Sequence, residues 1–375
     1  MTLLLAVLVL QPAVTVRHLD RPDRVLPAQF TQVRGVIERP DGTVLIVDRL
    51  AEAVMIGDFA TGRTSPIGRT GGGPAEYRLP GGLVPYPGDS TLLLDEGNNR
   101  LDLIGPDGRI HRTINPRTPE TEVGLFPWAV DQAGRYYTAI PGWILFTQGI
   151  RPDSLPLVRY LPDARRLDRL AWLRPSPEPP PPPRRDRGRI PYVVFGAADA
   201  WAAGPDGRVA IVRAKDYRVE WIDPTGVKTI GPLVSWTPVA VTAADRTSYT
   251  RQFLASSGTG GKGGGNRPPG GLEATPADML TDKSVAEVVA NTAFAATKPP
   301  FTDARPRIGP DGMLWVERSV ADTAASLWDV FDRTGRLTFS LELRASRRLA
   351  GIGRGTVYLV SVDHDGIETL ERYRL

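Results

Sequence analysis

Short apolar runs of three to five residues recur along this chain, each entered from a tight polar turn. Residues 44–47 follow Asp41-Gly42, 92–94 follow Gly88-Asp89, and 136–139 follow Ala133-Gly134. The same order recurs at 209–212 after Asp206-Gly207, 314–316 after Asp311-Gly312, and 357–360 after Arg354-Gly355. Asp-Gly between apolar runs predicts a hairpin, here a type I′ turn, because Asp and Gly tolerate positive φ. The runs are nearly continuous rather than alternating, as expected of strands covered on both faces. A third strand follows in each unit, such as 219–223 or 327–332. A second turn comes after it, Pro224-Thr225-Gly226 or Arg333-Thr334-Gly335. Four strands per unit, repeated six times, predict an all-β, six-bladed β-propeller.

The last unit runs out of chain after a third strand near 369–375, so one strand must come from the other terminus. Residues 14–19 are the expected donor, since closing the ring this way removes an exposed edge. The spacing between turns is uneven. The interval from Asp206 to Asp311 is more than twice that from Asp311 to Arg354. The excess lies at 141–148, at about 174–198 with five consecutive prolines, and at about 234–305. All three segments follow a second or fourth strand and therefore belong on one face, together with the Gly68–Tyr77 loop. Elaborated loops over a rigid scaffold are where function concentrates. The largest insertion predicts a helix over 242–254 capped by Thr242, and a second helix starting at Pro276 and running through Val285, Val288 and Val289. The glycines at 258–265 between them predict disorder, and the proline run predicts polyproline II.

The 375 residues suit one such domain, residues 14–375, behind an apolar opening at 1–13 that reads as a secretory signal segment. Secretion or a periplasmic location is therefore expected. No other stretch is apolar enough to span a membrane. The net charge is only +4, and 41 of the 46 basic residues are Arg. This balance argues against nucleic acid as a partner. There is no Cys, so disulfides, thiolate metal sites and a cysteine nucleophile are excluded. His18, His111 and His364 lie in three different blades without metal spacing.

The run Gly68-Arg69-Thr70-Gly71-Gly72-Gly73-Pro74-Ala75-Glu76-Tyr77, then Pro80, then Leu94-Asp95-Glu96-Gly97-Asn98-Asn99-Arg100-Leu101, resembles NHL-type repeats. It is also similar to six-bladed propellers common among exported bacterial proteins. The resemblance implies a binding scaffold whose strand-end Asp48 and Asp95 tie down the following loops. Propeller lactonases of the gluconolactonase kind hold a divalent ion through a Glu-Asn-Asp set. Here Glu76, Asn98 and Asn99 are present without the surrounding pattern.

Asp48, Asp95 and Glu317 end equivalent second strands, with Arg213 and Ser361 at the matching places of two other blades. Oxygen ligands of this kind suit Ca²⁺, but no cofactor is expected and no catalytic residue is assigned. Trp143 and Phe146 are inserted aromatics able to stack on a sugar or peptide. The expected ligand-binding set is Asp48, Asp95, Trp143, Phe146, Arg213, Lys215 and Glu317. The expected function is that of a monomeric, exported, non-enzymatic propeller recognising a protein or glycan through its insertion-rich face. The alternative is a divalent-metal-dependent hydrolase of the lactonase kind.

Overall fold

The computed structural model describes residues 14–116, 126–140, 153–177, 192–258, 281–321 and 325–375. Six sheets are arranged as the blades of a ring. Blade 1 comprises Val33–Glu38, Val44–Asp48, Ala53–Asp58 and Arg63–Pro66. Blade 2 comprises Pro80–Tyr86, Ser90–Asp95, Arg100–Ile104 and Ile110–Ile114. Blade 3 is built from Ala129–Val130, Tyr136–Ala139, Leu155–Leu161 and Arg166–Leu173, and blade 4 from Ala200–Ala203, Val209–Arg213, Arg218–Ile222 and Lys228–Ile230. Blade 5 has Arg307–Ile308, Leu314–Arg318, Ser326–Phe331 and Leu337–Leu343; blade 6 has Arg347–Ile352, Thr356–Val362 and Glu368–Arg374.

The second strands are the best buried. Every residue of Val44–Asp48 is inaccessible, whereas the outer strand Arg63–Pro66 is exposed throughout. Six apolar clusters each join one pair of neighbouring blades. The cluster of Val36, Ile46 and Phe59 with Tyr358, Val360 and Leu370 closes the ring between blades 1 and 6. Sheet-on-sheet burial around a circle is thus the main source of stability.

The missing strand of blade 6 does come from the N-terminal side, but from a different segment than expected. Arg24–Phe30 pairs antiparallel with Glu368–Arg374. Thr15–His18, the expected donor, instead runs parallel to Leu337–Leu343 as a fifth strand of blade 5. The reason is burial. Leu26 and Phe30 enter the core at 0% and 1% exposure, while Thr15–His18 is exposed along its length.

The six hairpins fall where expected, with different chemistry. Arg39 N–H donates to Thr43 O (2.8 Å) and Gly42 N–H to Arg39 O (3.0 Å). That is a three-residue loop in which Gly42 alone has positive φ (81°). The same bonding recurs at Gly134, Gly207 and Gly312. Asp41 contributes its side chain rather than its backbone: Oδ1 accepts from Thr43 N–H at 3.0 Å. Only at Gly88-Asp89 do both turn residues have positive φ.

The insertion after blade 4 carries α1 (Ala243–Gly258) and α2 (Asp282–Asn291). α1 opens as expected: Asp245 N–H donates to Thr242 Oγ1 and Thr242 N–H to Asp245 Oδ2, reciprocal bonds that satisfy two helix-end donors. α2 begins at its N-cap Thr281, with Val285 and Val288 buried. The expected start at Pro276, the polyproline run and the glycine-rich stretch from 259 on lie outside the described residues. Among the described residues no helix is long and apolar enough to cross a membrane.

Candidate functional site

Loops after second and fourth strands share one face, and the helices stand on it. Two insertions are joined there. Val194 N–H donates to Ala293 O, and Ala295 N–H to Val194 O, so the segment after blade 3 and the helices after blade 4 form one cap. Its interior packs Val194, Leu254, Val285 and Val288 with Tyr192, Phe195 and Tyr249. The hydroxyls of Tyr192 and Tyr249 are 2.9 Å apart. Lys298 anchors the cap by an ion pair of 2.6 Å to Asp245.

Asp48 and Asp95 sit under this face but hold its loops rather than open onto it. Asp48 is buried and accepts from Thr31 N–H (2.7 Å), Thr31 Oγ1 (2.6 Å) and Gln32 N–H (2.8 Å). Asp95, at 0% exposure, accepts from Arg78 N–H, Asn98 N–H, Asn98 Nδ2 and Arg100 Nε. In both blades the carboxylate fastens the loop entering the first strand as well as the one leaving the second. Glu76 and Asn98 are similarly engaged. Glu76 accepts from Gly73 N–H at 2.7 Å and pairs with Arg69, and Asn98 donates to Gly71 O. The Gly73 N–H bond is the main reason the Glu76 carboxyl lies below its usual range.

Glu317 accepts from Thr302 Oγ1 (3.0 Å) and Ser326 Oγ (2.5 Å). Asp303, next along the chain, has its carboxyl pushed up by burial. Among the described residues, ligand atoms of His, Asp and Glu come together in threes only at Asp363, His364 and Asp365, all exposed on one turn. Asp48, Asp95 and Glu317 therefore do not converge on a common metal position.

Arg213 and Lys215 are brought together, in a cleft of about 410 Å³ between blades 3 and 4. Its walls include Asp153, Trp172, Arg174, Lys215 and Arg218. Arg213 bridges Asp199 and Glu220, both at 2.8 Å, which fixes the guanidinium plane. Trp172 is 47% exposed and carries Arg169 over its ring at 4.7 Å. Trp172 was not distinguishable in sequence from core aromatics, since only strand register shows that it faces outward. Trp143 and Phe146 lie outside the described residues.

No family model and no curated protein matches the chain in sequence. Solved structures of similar architecture include six-bladed propellers. Regucalcin, a calcium-binding protein from Agrobacterium tumefaciens, is 12% identical with 96% of each chain covered and a TM-score of 0.45. A gluconolactonase from Xanthomonas campestris is 11% identical over 94% of this chain and 95% of its own, with a TM-score of 0.44. Virginiamycin B lyase from Staphylococcus aureus is 11% identical over 93% and 86%, with a TM-score of 0.40. Likeness at this level concerns the fold alone.

Proposed function

We propose that the chain is an exported, NHL-like binding propeller that recognises a protein or glycan on its insertion-bearing face. The observation that carries this is the cleft between blades 3 and 4. A half-exposed Trp172 stands there beside Lys215 and the braced Arg213. An aromatic plane flanked by fixed ionic groups suits a sugar ring or a peptide. Screening purified protein on glycan and peptide arrays tests it. Trp172→Ala and Lys215→Ala should each weaken the strongest hit about tenfold, with an unchanged thermal transition. Retention of full binding by both variants refutes the cleft as the contact.

A divalent-metal-dependent hydrolase is the second reading. Its favouring observation is the oxygen-rich corner of Glu317, Thr302 and Ser326. A carboxylate held by two hydroxyls can serve as a metal ligand or in general acid–base work. Elemental analysis for bound metal, with lactone hydrolysis assayed with and without chelator, separates the two readings. Metal-dependent turnover that Glu317→Gln abolishes would establish the second.

A further inference from the structure

The centre of the ring carries a charge pattern unrelated to the cleft. Arg305 precedes the first strand of blade 5, yet its guanidinium lies over the ring of Trp128, just before the first strand of blade 3. It also feels the charge of Glu96, at the end of the second strand of blade 2. Blades 2 and 5 stand opposite each other in a six-membered ring, so Arg305 occupies the mouth of the central channel.

Arg34, Arg307 and Arg348 begin the first strands of blades 1, 5 and 6 and surround the same opening. The pairing of Val33–Glu38 with Val44–Asp48 shifts between Val33 and Gly35. The bulge leaves Arg34 out of the ladder. Arg34 lies within electrostatic reach of Arg49, Arg348, Glu96 and Glu368, and Arg307 within reach of Arg348 and Glu317.

The charges do not balance. Five guanidiniums, of Arg34, Arg49, Arg305, Arg307 and Arg348, face the carboxylates of Glu96, Glu317 and Glu368. Arg49 is taken by Glu96 at 2.8 Å and Arg348 by Glu368 at 2.9 Å. Glu317 is engaged by two hydroxyls. Among the described residues Arg34, Arg305 and Arg307 have no carboxylate within ion-pair distance. Arg305 and Arg307 rest instead on aromatic faces, the latter 6.0 Å from the Trp328 ring. Neither guanidinium donates a hydrogen bond among the described residues, so its N–H donors are available to a ligand. Arg34 and Arg305 are open to water although protein surrounds them, as befits side chains projecting into a channel. Desolvation pushes Arg305 down to about 9 and Arg307 to about 10, so both are charged at neutral pH. Like charges held in a low-dielectric cleft concentrate field and attract anions.

We propose that the channel mouth is a binding site for a small ligand carrying two or more oxyanion charges, clamped by Arg34, Arg305 and Arg307. The forked donors of arginine match carboxylate, sulfate and phosphate oxygens bidentately. The three guanidiniums are supplied by two blades, so the site exists only in the closed ring. It goes beyond the cleft between blades 3 and 4, with which it shares no residue.

Calorimetric titration of the full chain with citrate, pyrophosphate and a sulfated disaccharide tests this, with sodium chloride at matched ionic strength as control. At least one should bind and raise the melting temperature above the chloride control. The strongest arm identifies the source as a free organic acid, a phosphate compound or a glycan. Arg34→Ala and Arg305→Ala should each weaken that ligand about tenfold or more. Arg34→Ala leaves no carboxylate unpaired, so folding is preserved. Arg305→Lys keeps the charge while losing the fork and serves as the second variant should Arg305→Ala misfold. Trp172→Ala should leave anion binding unchanged, so failure of the cleft reading would be seen separately. Absence of binding in all three arms, or undiminished binding by Arg34→Ala and Arg305→Lys, would overturn the assignment.

Discussion

Asp102 is the residue most at odds with its surroundings. Its side chain is 1% exposed, Oδ2 has no partner among the described residues, and Asp95 lies alongside. Burial raises its carboxyl to about 6, with Thr113 and Arg100 opposing and Asp95 adding to the rise. The native state therefore holds a proton that the unfolded chain has already released between about pH 4 and 6. The stabilisation this gives is full below the unfolded value and lost as pH rises through the folded one. Asp102→Asn should accordingly raise stability at pH 8, by up to about 3 kcal/mol, with no gain at pH 4. Thermal melts at the two pH values check the sign. The same neighbourhood shows what single residues reveal in sequence. Asp48 and Asp95 stand out as strand-end carboxylates, and both matter. Nothing in sequence separates a carboxylate that holds two loops from one that meets a ligand, because that depends on which backbone N–H groups converge on it. Arg34, Arg305 and Arg307 were hidden for a related reason. In a chain with 41 Arg, the few that face a channel are visible only once the ring is closed.

Turns and apolar runs are local, so the strands of each blade and the capped start of α1 could be read from the chain. The closing strand could not, because Arg24–Phe30 contains Pro27, which a strand interior normally excludes. Pro27 is tolerated because the pairing slips between Leu26 and Gln29, and because the segment is the outermost of its sheet. Leu26 and Phe30 still point into the seam between blades 1 and 6. Phe30→Ala should destabilise the fold by about 3–5 kcal/mol, the cost of emptying a large buried site. Removal of residues 14–19 should cost much less, since Thr15–His18 adds an exposed edge strand held partly by Arg17 over Phe339. Urea denaturation of the two variants ranks them. A larger loss on removing residues 14–19 would mean that the parallel strand of blade 5, not Arg24–Phe30, locks the ring.

At the scale of the molecule, the two faces divide the work. The turns between first and second strands, and between third and fourth, are short. Asp107 accepts from Arg109 N–H and pairs with His111, and Asp332 accepts from Thr334 N–H, Thr334 Oγ1 and Arg336 N–H. The side-chain acceptor bonds of these two carboxylates are spent within their own turns. The opposite face carries the cap, the cleft and the channel mouth, with Trp128 and Trp172 both more than two-fifths exposed. This asymmetry was legible in the uneven spacing of turns, because loop length and strand parity alone decide which face an insertion joins. What the insertions build there was not, since the bridge between Val194 and Phe294 joins segments a hundred residues apart. The division makes a prediction for any ligand found on the arrays or in the anion titrations. Asp107→Ala and Asp332→Ala should lower the melting temperature through lost turn bonds and leave affinity unchanged. Trp172→Ala for a ligand found on the arrays, and Arg34→Ala for one found in the anion titrations, should do the reverse. Affinity measured by calorimetry beside a thermal melt on each variant separates the two effects. If the turn variants lose binding while still folded, the ligand is held on the plain face and both sites on the capped one are ruled out.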